Sequence, residues 1–393
     1  MENRVILPNG FLLIVDDVGW WLAGDQRYYV KVPESARAMM RRPYYMEDYK
    51  SLVEIGRALG MRVLCGFTIG EWDRDRLLAG VPNSNMFGRD WDNAAVLRHP
   101  ERLDEVRDYI NANRDYIEMA IHGLNHMYWN DATGECIFAE YYRTVEGKRI
   151  MLEPSIMRLH LDAWFEIYRR NGFTAPVDKL IPPCFQYNYS RGTGELSYIL
   201  KDYGIRYVST PFSSLGYDTP EKPVDACVEN GILTTDRTSD YSPWHEMDAA
   251  IPDKPLKNSP YGTHWPHFFA ENPADNGKTV ERWVAYFRRY REHFNVVMAR
   301  DHRMAANQCF YRRFTSVNES EDKLLLDFTQ ADAQGAPADV VGDVVYLNVK
   351  KPFRLSCADG SCQVTLYDRA STFSTYRLTR HKRRAELEIT AAE

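Results

Sequence analysis

Two aspartates end the first apolar run of this chain: Phe11-Leu12-Leu13-Ile14-Val15 leads directly into Asp16-Asp17. Adjacent carboxylates behind a buried strand repel each other in a dry setting, and a cation or a shared proton relieves the repulsion. The same pair also serves as a helix N-cap or a surface turn. A second run, Ile117 to Ile121, leads into His122-Gly123-Leu124-Asn125-His126. Histidines at i and i+4 converge on one metal if the loop coils into a helical turn. Neutral imidazoles suit zinc, and also iron, cobalt or nickel. Such a histidine pair is common by chance. Downstream of paired aspartates at another strand end, it makes Asp17, His122 and His126 a candidate site for a divalent metal ion, with Zn2+ the first choice and Co2+, Ni2+ or Fe2+ the alternatives. A third segment, Gly262-Thr263-His264-Trp265-Pro266-His267, offers a general acid, and His264 lies nearer the expected strand end than His267.

For these groups to meet, their strands must lie side by side with the C-terminal ends on one face. The pattern of the chain provides for this. Glu47 to Leu59 reads as a helix stopped by Gly60, and Met61 to Phe67 as the next strand. The helix Glu101–Arg114 precedes the strand Ile117–Ile121. Further on come a helix over Pro154–Arg170, a short strand Lys179–Pro182, a helix Thr193–Tyr203 and a strand Ile205–Ser209. Gly231–Thr235 and Tyr261–His264 supply two more strands, then Lys278–His293 a helix and Asn295–Ala299 a last strand. Strands alternating with helices imply parallel pairing through crossovers. The expected fold class is α/β: a distorted (β/α)7-8 barrel over residues 1–313, whose active face is the C-terminal end of its strands. From Leu324 to Thr390 the helical period disappears, and short strands with turns predict a small C-terminal β-sandwich over residues 314–393. No internal repeat or low-complexity tract interrupts this pattern.

Composition narrows the function classes. The 393 residues are 44% hydrophobic and 26% charged, ordinary for a globular protein. A net charge of −6 without a long basic run gives no reason to expect a nucleic-acid partner. Phe11–Val15 is too short for a leader core or a membrane span, so the chain reads as cytoplasmic, with no membrane partner. Seven cysteines, mostly inside apolar runs, fit a reducing compartment; only Cys357 and Cys362 sit close enough in sequence for a turn to join them. Aromatic content of 13%, with 25 Tyr and 9 Trp, suits a sugar-binding cleft as well as a large core.

In order and spacing the motifs resemble those of the polysaccharide deacetylases (carbohydrate esterase family 4, the chitooligosaccharide deacetylase homology fold). An apolar strand ends in Asp16-Asp17, a second in His122-Gly-Leu-Asn-His126, and Ile181-Pro182-Pro183-Cys184-Phe185-Gln186-Tyr187-Asn188 stands where that family has Arg-Pro-Pro-Tyr-Gly followed by Asn. A late histidine completes the order, and the likeness spans roughly residues 5–305. The resemblance implies that Asp16 is the general base, that Asp17, His122 and His126 are the metal ligands, and that His264 is the general acid. It further implies that a metal-activated water deacetylates an N- or O-acetylated carbohydrate. Trp21, Pro183, Tyr187 and Trp265 are the expected substrate contacts. Two departures stand out. Ile181 replaces the arginine that orients the base in that family, which leaves Arg191 and Arg206 as candidate partners for Asp16. Cys184-Phe185 replaces Tyr-Gly.

Two other readings use the same residues. One keeps the metal and cleaves a small non-peptide amide or cyclic imide. The other is a carbohydrate-binding barrel without catalysis, favoured by the missing arginine and opposed by retention of all four aspartate and histidine side chains. Trp20 and Trp21 read equally as substrate-stacking or rim-packing residues, His160 and His293 as structural or surface residues, and Trp244-His245-Glu246-Met247-Asp248 as an irregular stretch with ligand-capable groups. The C-terminal sandwich could bind glycans, cover the barrel or join copies of the chain into a homo-oligomer.

Overall fold

The computed structural model describes residues 3–19, 44–93, 97, 99–130, 132–134, 136–137, 139–146, 148–189, 195–214, 216–217, 223–237 and 260–391. Trp20, Trp21, Arg191 and the segment Trp244–Asp248 lie outside the described residues.

Eight strands form one curled sheet. In chain order they are β1 (Leu13–Val18), β2 (Val63–Phe67), β3 (Ile117–Ile121), β4 (Lys179–Leu180), β5 (Tyr207–Thr210), β6 (Ala226–Glu229), β7 (Ile232–Asp236) and β8 (Tyr261–His264). Their spatial order is β6-β7-β5-β4-β3-β2-β1-β8. Every neighbouring pair is parallel except β6–β7, an antiparallel hairpin at one edge. Burial on both faces explains the near-continuous apolar runs in β1, β2 and β3. The helices that cover the sheet include α1 (Met46–Leu59), α2 (Pro100–Ala112), α3 (Pro154–Arg170) and α4 (Leu196–Asp202), followed by α5 (Asn276–Phe294) and α6 (His302–Phe314).

Local chemistry sets the helix ends. The Asp48 side chain accepts the Tyr45 N–H at 2.8 Å, closing the first turn of α1, and Gly60 ends it at φ 66°. α3 starts at Pro154 and buries Met157, Leu161, Trp164 and Ile167 on one face. Two expectations change. The strand anticipated over Asn295–Ala299 shrinks to Val297–Met298, which pairs with Gly10–Phe11 outside the curled sheet. The helix α6, not anticipated, fills the region before residue 314.

After α6 come seven strands: β9 (Ser316–Glu319), β10 (Lys323–Asp327), β11 (Val344–Lys350), β12 (Phe353–Ser356), β13 (Cys362–Arg369), β14 (Phe373–Arg380) and β15 (Arg384–Ala391). They form two four-stranded antiparallel sheets around one apolar core that includes Leu324, Leu326, Leu347, Leu378 and Leu387. The fourth strand of one sheet is Val5–Ile6, paired with Val349 and Asn348 of β11, so the start of the chain completes this layer. All seven cysteines are free thiols, Cys357 and Cys362 included. Among the described residues no helix is long and apolar enough to cross a membrane.

One side chain ties α6 to β11 and to the chain ahead of β1. Gln308 of α6 is fully buried and donates to the Pro8 and Tyr346 carbonyls at 3.0 and 2.9 Å, while its Oε1 accepts the Tyr346 N–H at 2.9 Å. Gln308→Leu keeps the volume but strands three buried backbone groups. The expected cost is about 2–4 kcal/mol in chemical denaturation, and a loss within experimental error would show that these elements are held by apolar packing alone.

Candidate metal centre

Asp16 and Asp17 stand at the end of β1, and a bulge brings both carboxylates into one place. The β1–β2 register slips between Val15 and Val18, and Asp17 takes a left-handed backbone, φ 64°. Side chains alternate along a strand; the slip breaks that alternation and lets neighbouring carboxylates serve the same site. His122 follows β3 directly. Its ring packs on the Gly66 backbone of β2, where a Cβ would stand 3.0 Å from the ring.

The His122–His126 loop does not coil into the expected helical turn. Gly123 (φ 83°) and His126 (φ 66°) bend it instead, and the two rings face each other 5.0 Å apart. Glu140 holds the loop from behind. Its Oε2 accepts the Leu124 and Asn125 N–H groups at 2.7 and 3.1 Å, and its Oε1 binds His160 Nδ1 at 2.9 Å. His160 Nε2 reaches the Pro82 carbonyl at 2.7 Å, and Glu140 and His160 are both fully buried. Any residue but glycine at 123 would drive a Cβ to 2.2 Å from Glu140 Oε2.

The three expected ligands converge. Asp17 Oδ1 lies 3.1 Å from His122 Nε2 and 3.4 Å from His126 Nε2, and one donor atom from each of the three residues lies within 4.8 Å of the others. This buried group could hold a metal ion. The donor chemistry fits one. His122 Nδ1 donates to the Ile181 carbonyl at 2.7 Å, which turns Nε2 toward the Asp17 carboxylate. A second-sphere bond of this kind fixes the tautomer of a metal-binding histidine. His126 Nε2 accepts the Cys184 N–H at 3.2 Å, so that nitrogen is unprotonated, and an ion bound there would take over the lone pair that this N–H now uses.

Electrostatics agree with this geometry. Burial would raise the Asp17 carboxyl, but His126, the His122 hydrogen bond and His264 together hold it well below the usual carboxylate range. Burial likewise opposes a charged His122, yet the Asp17 hydrogen bond and the two aspartate charges raise it above an ordinary histidine. His126 moves the other way, down to about 4, because burial and its histidine neighbours outweigh Asp17. A cation held among the three groups would favour the ionised carboxylate and the neutral rings that ligation requires.

Asp16 has a partner that the sequence reading missed. Arg237, the residue after β7, grips it bidentately: Nη1 donates to Oδ1 at 2.8 Å and Nη2 to Oδ2. Burial raises the Asp16 carboxyl, and the guanidinium overrides burial to hold it below the ordinary range. Of the two named candidates, Arg191 lies outside the described residues. Arg206 instead pairs with Asp339 at 2.8 Å on the surface. Position 181, where an arginine was expected, contributes its backbone carbonyl to His122. Asp16, Asp17, His122, His126 and Arg237 each keep 6% or less of their surface exposed.

His264 closes the site. β8 pairs with β1 so that His264 lies opposite Asp16, and its Nε2 is 3.9 Å from Asp17 Oδ2. His267 sits behind it, with Nδ1 bonded to the Thr263 hydroxyl. The Phe185 ring lies 6.5 Å from the His264 ring and 5.0 Å beneath the Arg237 guanidinium carbon. Cys184 and Phe185 are both left-handed, φ 50° and 58°. Left-handed backbone is unfavourable for residues other than glycine and asparagine, and it tends to gather where function holds it.

Three expected substrate contacts are buried residues. Tyr187 is buried, with its hydroxyl on Glu229 at 2.7 Å. Trp265 is fully buried, donates to the Asp48 carbonyl at 3.3 Å and packs on Tyr44 and Tyr49. Pro183 is buried against the Gly123 turn.

No protein-family model matches this chain, and no curated protein does.

Glu140 generates a direct prediction. Glu140→Ala removes the acceptor for two loop amides and should weaken zinc binding, read by competition with a chromogenic chelator, by about 10–100-fold. Glu140→Gln keeps an acceptor for those amides and hands an N–H to His160 Nδ1, so it should bind zinc within a few-fold of wild type. Undiminished binding by the alanine variant would show that Glu140 does not position the loop.

Proposed function

We propose that this protein is a metal-dependent hydrolase, with zinc the favoured ion, that removes an acetyl group from an N- or O-acetylated carbohydrate. The observation that carries the reading is the juxtaposition of two differently equipped carboxylates. Asp17 faces two imidazole nitrogens, and Asp16 beside it is held anionic by Arg237. Within this reading the curled sheet is a distorted (β/α) barrel, and residues 314–393 are an accessory β-sandwich. The resemblance of the motifs to the polysaccharide deacetylases supports the same assignment.

Asp17, His122 and His126 would hold the ion, which supplies the Lewis acid for activating water and polarising the acetyl carbonyl. Asp16 accepts the proton from the attacking water. Arg237 keeps Asp16 ionised and fixes the direction of its oxygens, as a bidentate guanidinium does. His264, beside Asp16 on the neighbouring strand β8, returns a proton to the leaving amine or alcohol. With an ion on His126 Nε2, the Cys184 N–H would be displaced and would then lie beside the ligand set as a donor for an oxyanion.

Arg237 also removes the main argument for a catalytically silent binding module, since the function of the missing arginine has moved to another strand. A second enzymatic reading, cleavage of a small non-peptide C–N bond, draws support from Phe185. Its ring narrows a place where the related motif has glycine, which suits a compact substrate more than a polymer.

The test is acetate release from acetylated hexosamine oligomers and xylooligosaccharides, alongside amine release from small amides. Activity should vanish on chelation and return with zinc, and Asp16→Asn should lower kcat by about 10²-fold or more while zinc content is retained. Arg237→Ala removes the charge that depresses Asp16, so the acid limb of the rate profile should move to higher pH. A metal-loaded wild type that hydrolyses neither class, or an unshifted acid limb in Arg237→Ala, would contradict the assignment.

A further inference from the structure

A cavity of about 260 Å3 lies beside the turn that follows Asp17. Its walls come from the start of α1, the turn Ile69–Trp72 and the first turns of α2. Tyr44, Tyr49 and Trp72 give it an aromatic lining, and Glu71 is its most deeply buried carboxyl group, with 9% of its surface exposed. Glu71 Oε1 accepts the Tyr49 hydroxyl at 3.0 Å. Among the described residues Glu71 makes no other hydrogen bond and no ion pair.

A buried carboxyl group without a cation is uncommon, because water no longer solvates the charge. Burial pushes Glu71 up to about 8, and the Tyr49 hydrogen bond offsets only part of that. The other charged groups around the cavity leave it uncompensated. Glu47 on α1 engages Lys50 at 3.7 Å, and His99 engages Glu101 at 3.1 Å. Glu105 is a further exposed carboxylate, and exposed Arg102 forms no ion pair with Glu71. An anion entering the cavity would meet another acid. A neutral ligand would leave the second Glu71 oxygen with at most its own proton to offer. An ammonium group supplies both the missing charge and N–H donors, and aromatic faces favour a cation as well.

We propose that this cavity is a second binding site, separate from the metal centre, for a small organic amine held as its ammonium ion against Glu71 with its carbon skeleton on the aromatic wall. The equilibrium balances in protons. The ammonium form and the protonated Glu71 carboxyl combine to give the ion pair, and one proton passes to the buffer. Affinity therefore rises about tenfold per pH unit below the Glu71 titration and levels off above it, until the amine itself deprotonates.

Cyclohexylamine is a suitable probe and cyclohexanol its neutral counterpart. Calorimetric titration of the full-length protein near neutral pH, in buffers of different ionisation enthalpy, should show binding with release of close to one proton. Cyclohexanol should bind about tenfold more weakly or less. Glu71→Gln keeps the Tyr49 hydrogen bond, so it should fold with an unchanged or higher melting temperature and lose about tenfold or more in amine affinity. His122→Ala/His126→Ala should bind the amine as wild type does, so the result stands apart from the fate of the metal assignment. Amine binding without proton release in wild type, binding unaffected in Glu71→Gln, or no binding up to about 50 mM amine would overturn the proposal.

Discussion

Two adjacent carboxylates buried at one strand end are the constraint around which this molecule is arranged. Left alone, Asp16 and Asp17 could not both ionise in so dry a place. The structure separates their problems. Asp16 receives a guanidinium from β7, across the curled sheet, and Asp17 receives two imidazoles from the loop after β3. A buried ion pair contributes little net stability, since desolvation offsets most of the attraction. What the pairing secures is a difference: one carboxylate locked as a charge, the other facing groups that can share a cation with it.

Much of the surrounding architecture follows from holding these groups still. The bulge in β1 turns consecutive side chains to one side. Gly66 lets the His122 ring press against β2, and Ile181 fixes its tautomer through a backbone carbonyl. Glu140, fully buried, accepts the loop amides between the two histidines, and buried His160 holds Glu140 in turn. The left-handed residues Asp17, His126, Cys184 and Phe185 all lie at this mouth. Unfavourable conformations collected here are what a preorganised site requires, because each is retained only if the neighbouring structure over-determines it.

The candidate ligands were legible because polar residues at or just past a strand end are delivered to a common face by a parallel sheet. Asp17 and His264 have that signature at the ends of β1 and β8, His122 has it after β3, and His126 follows in the same loop. Arg237 has it too: Ile232 to Asp236 ends in Thr-Thr-Asp-Arg, yet without the register of β7 against β5 nothing in the sequence aims that arginine at Asp16. Glu140 carried no signal, since it sits in an irregular stretch and acts on backbone amides. Tyr187 and Trp265 misled because aromatics near a motif look like ligand platforms. Their burial is decided by Glu229 and by Tyr44, Tyr49 and Asp48, all distant in sequence. The helical turn expected for His122–His126 failed for a local reason: Gly123 and a left-handed His126 allow a tighter bend that leaves the loop amides free for Glu140.

The central claim is that Asp17, His122 and His126 together bind one divalent ion, and metal content tests it most directly. Elemental analysis of the protein, purified and reconstituted with zinc, should give close to one equivalent for wild type and almost none for His122→Ala/His126→Ala. Full metal content in the double variant, or none in wild type, would contradict the account.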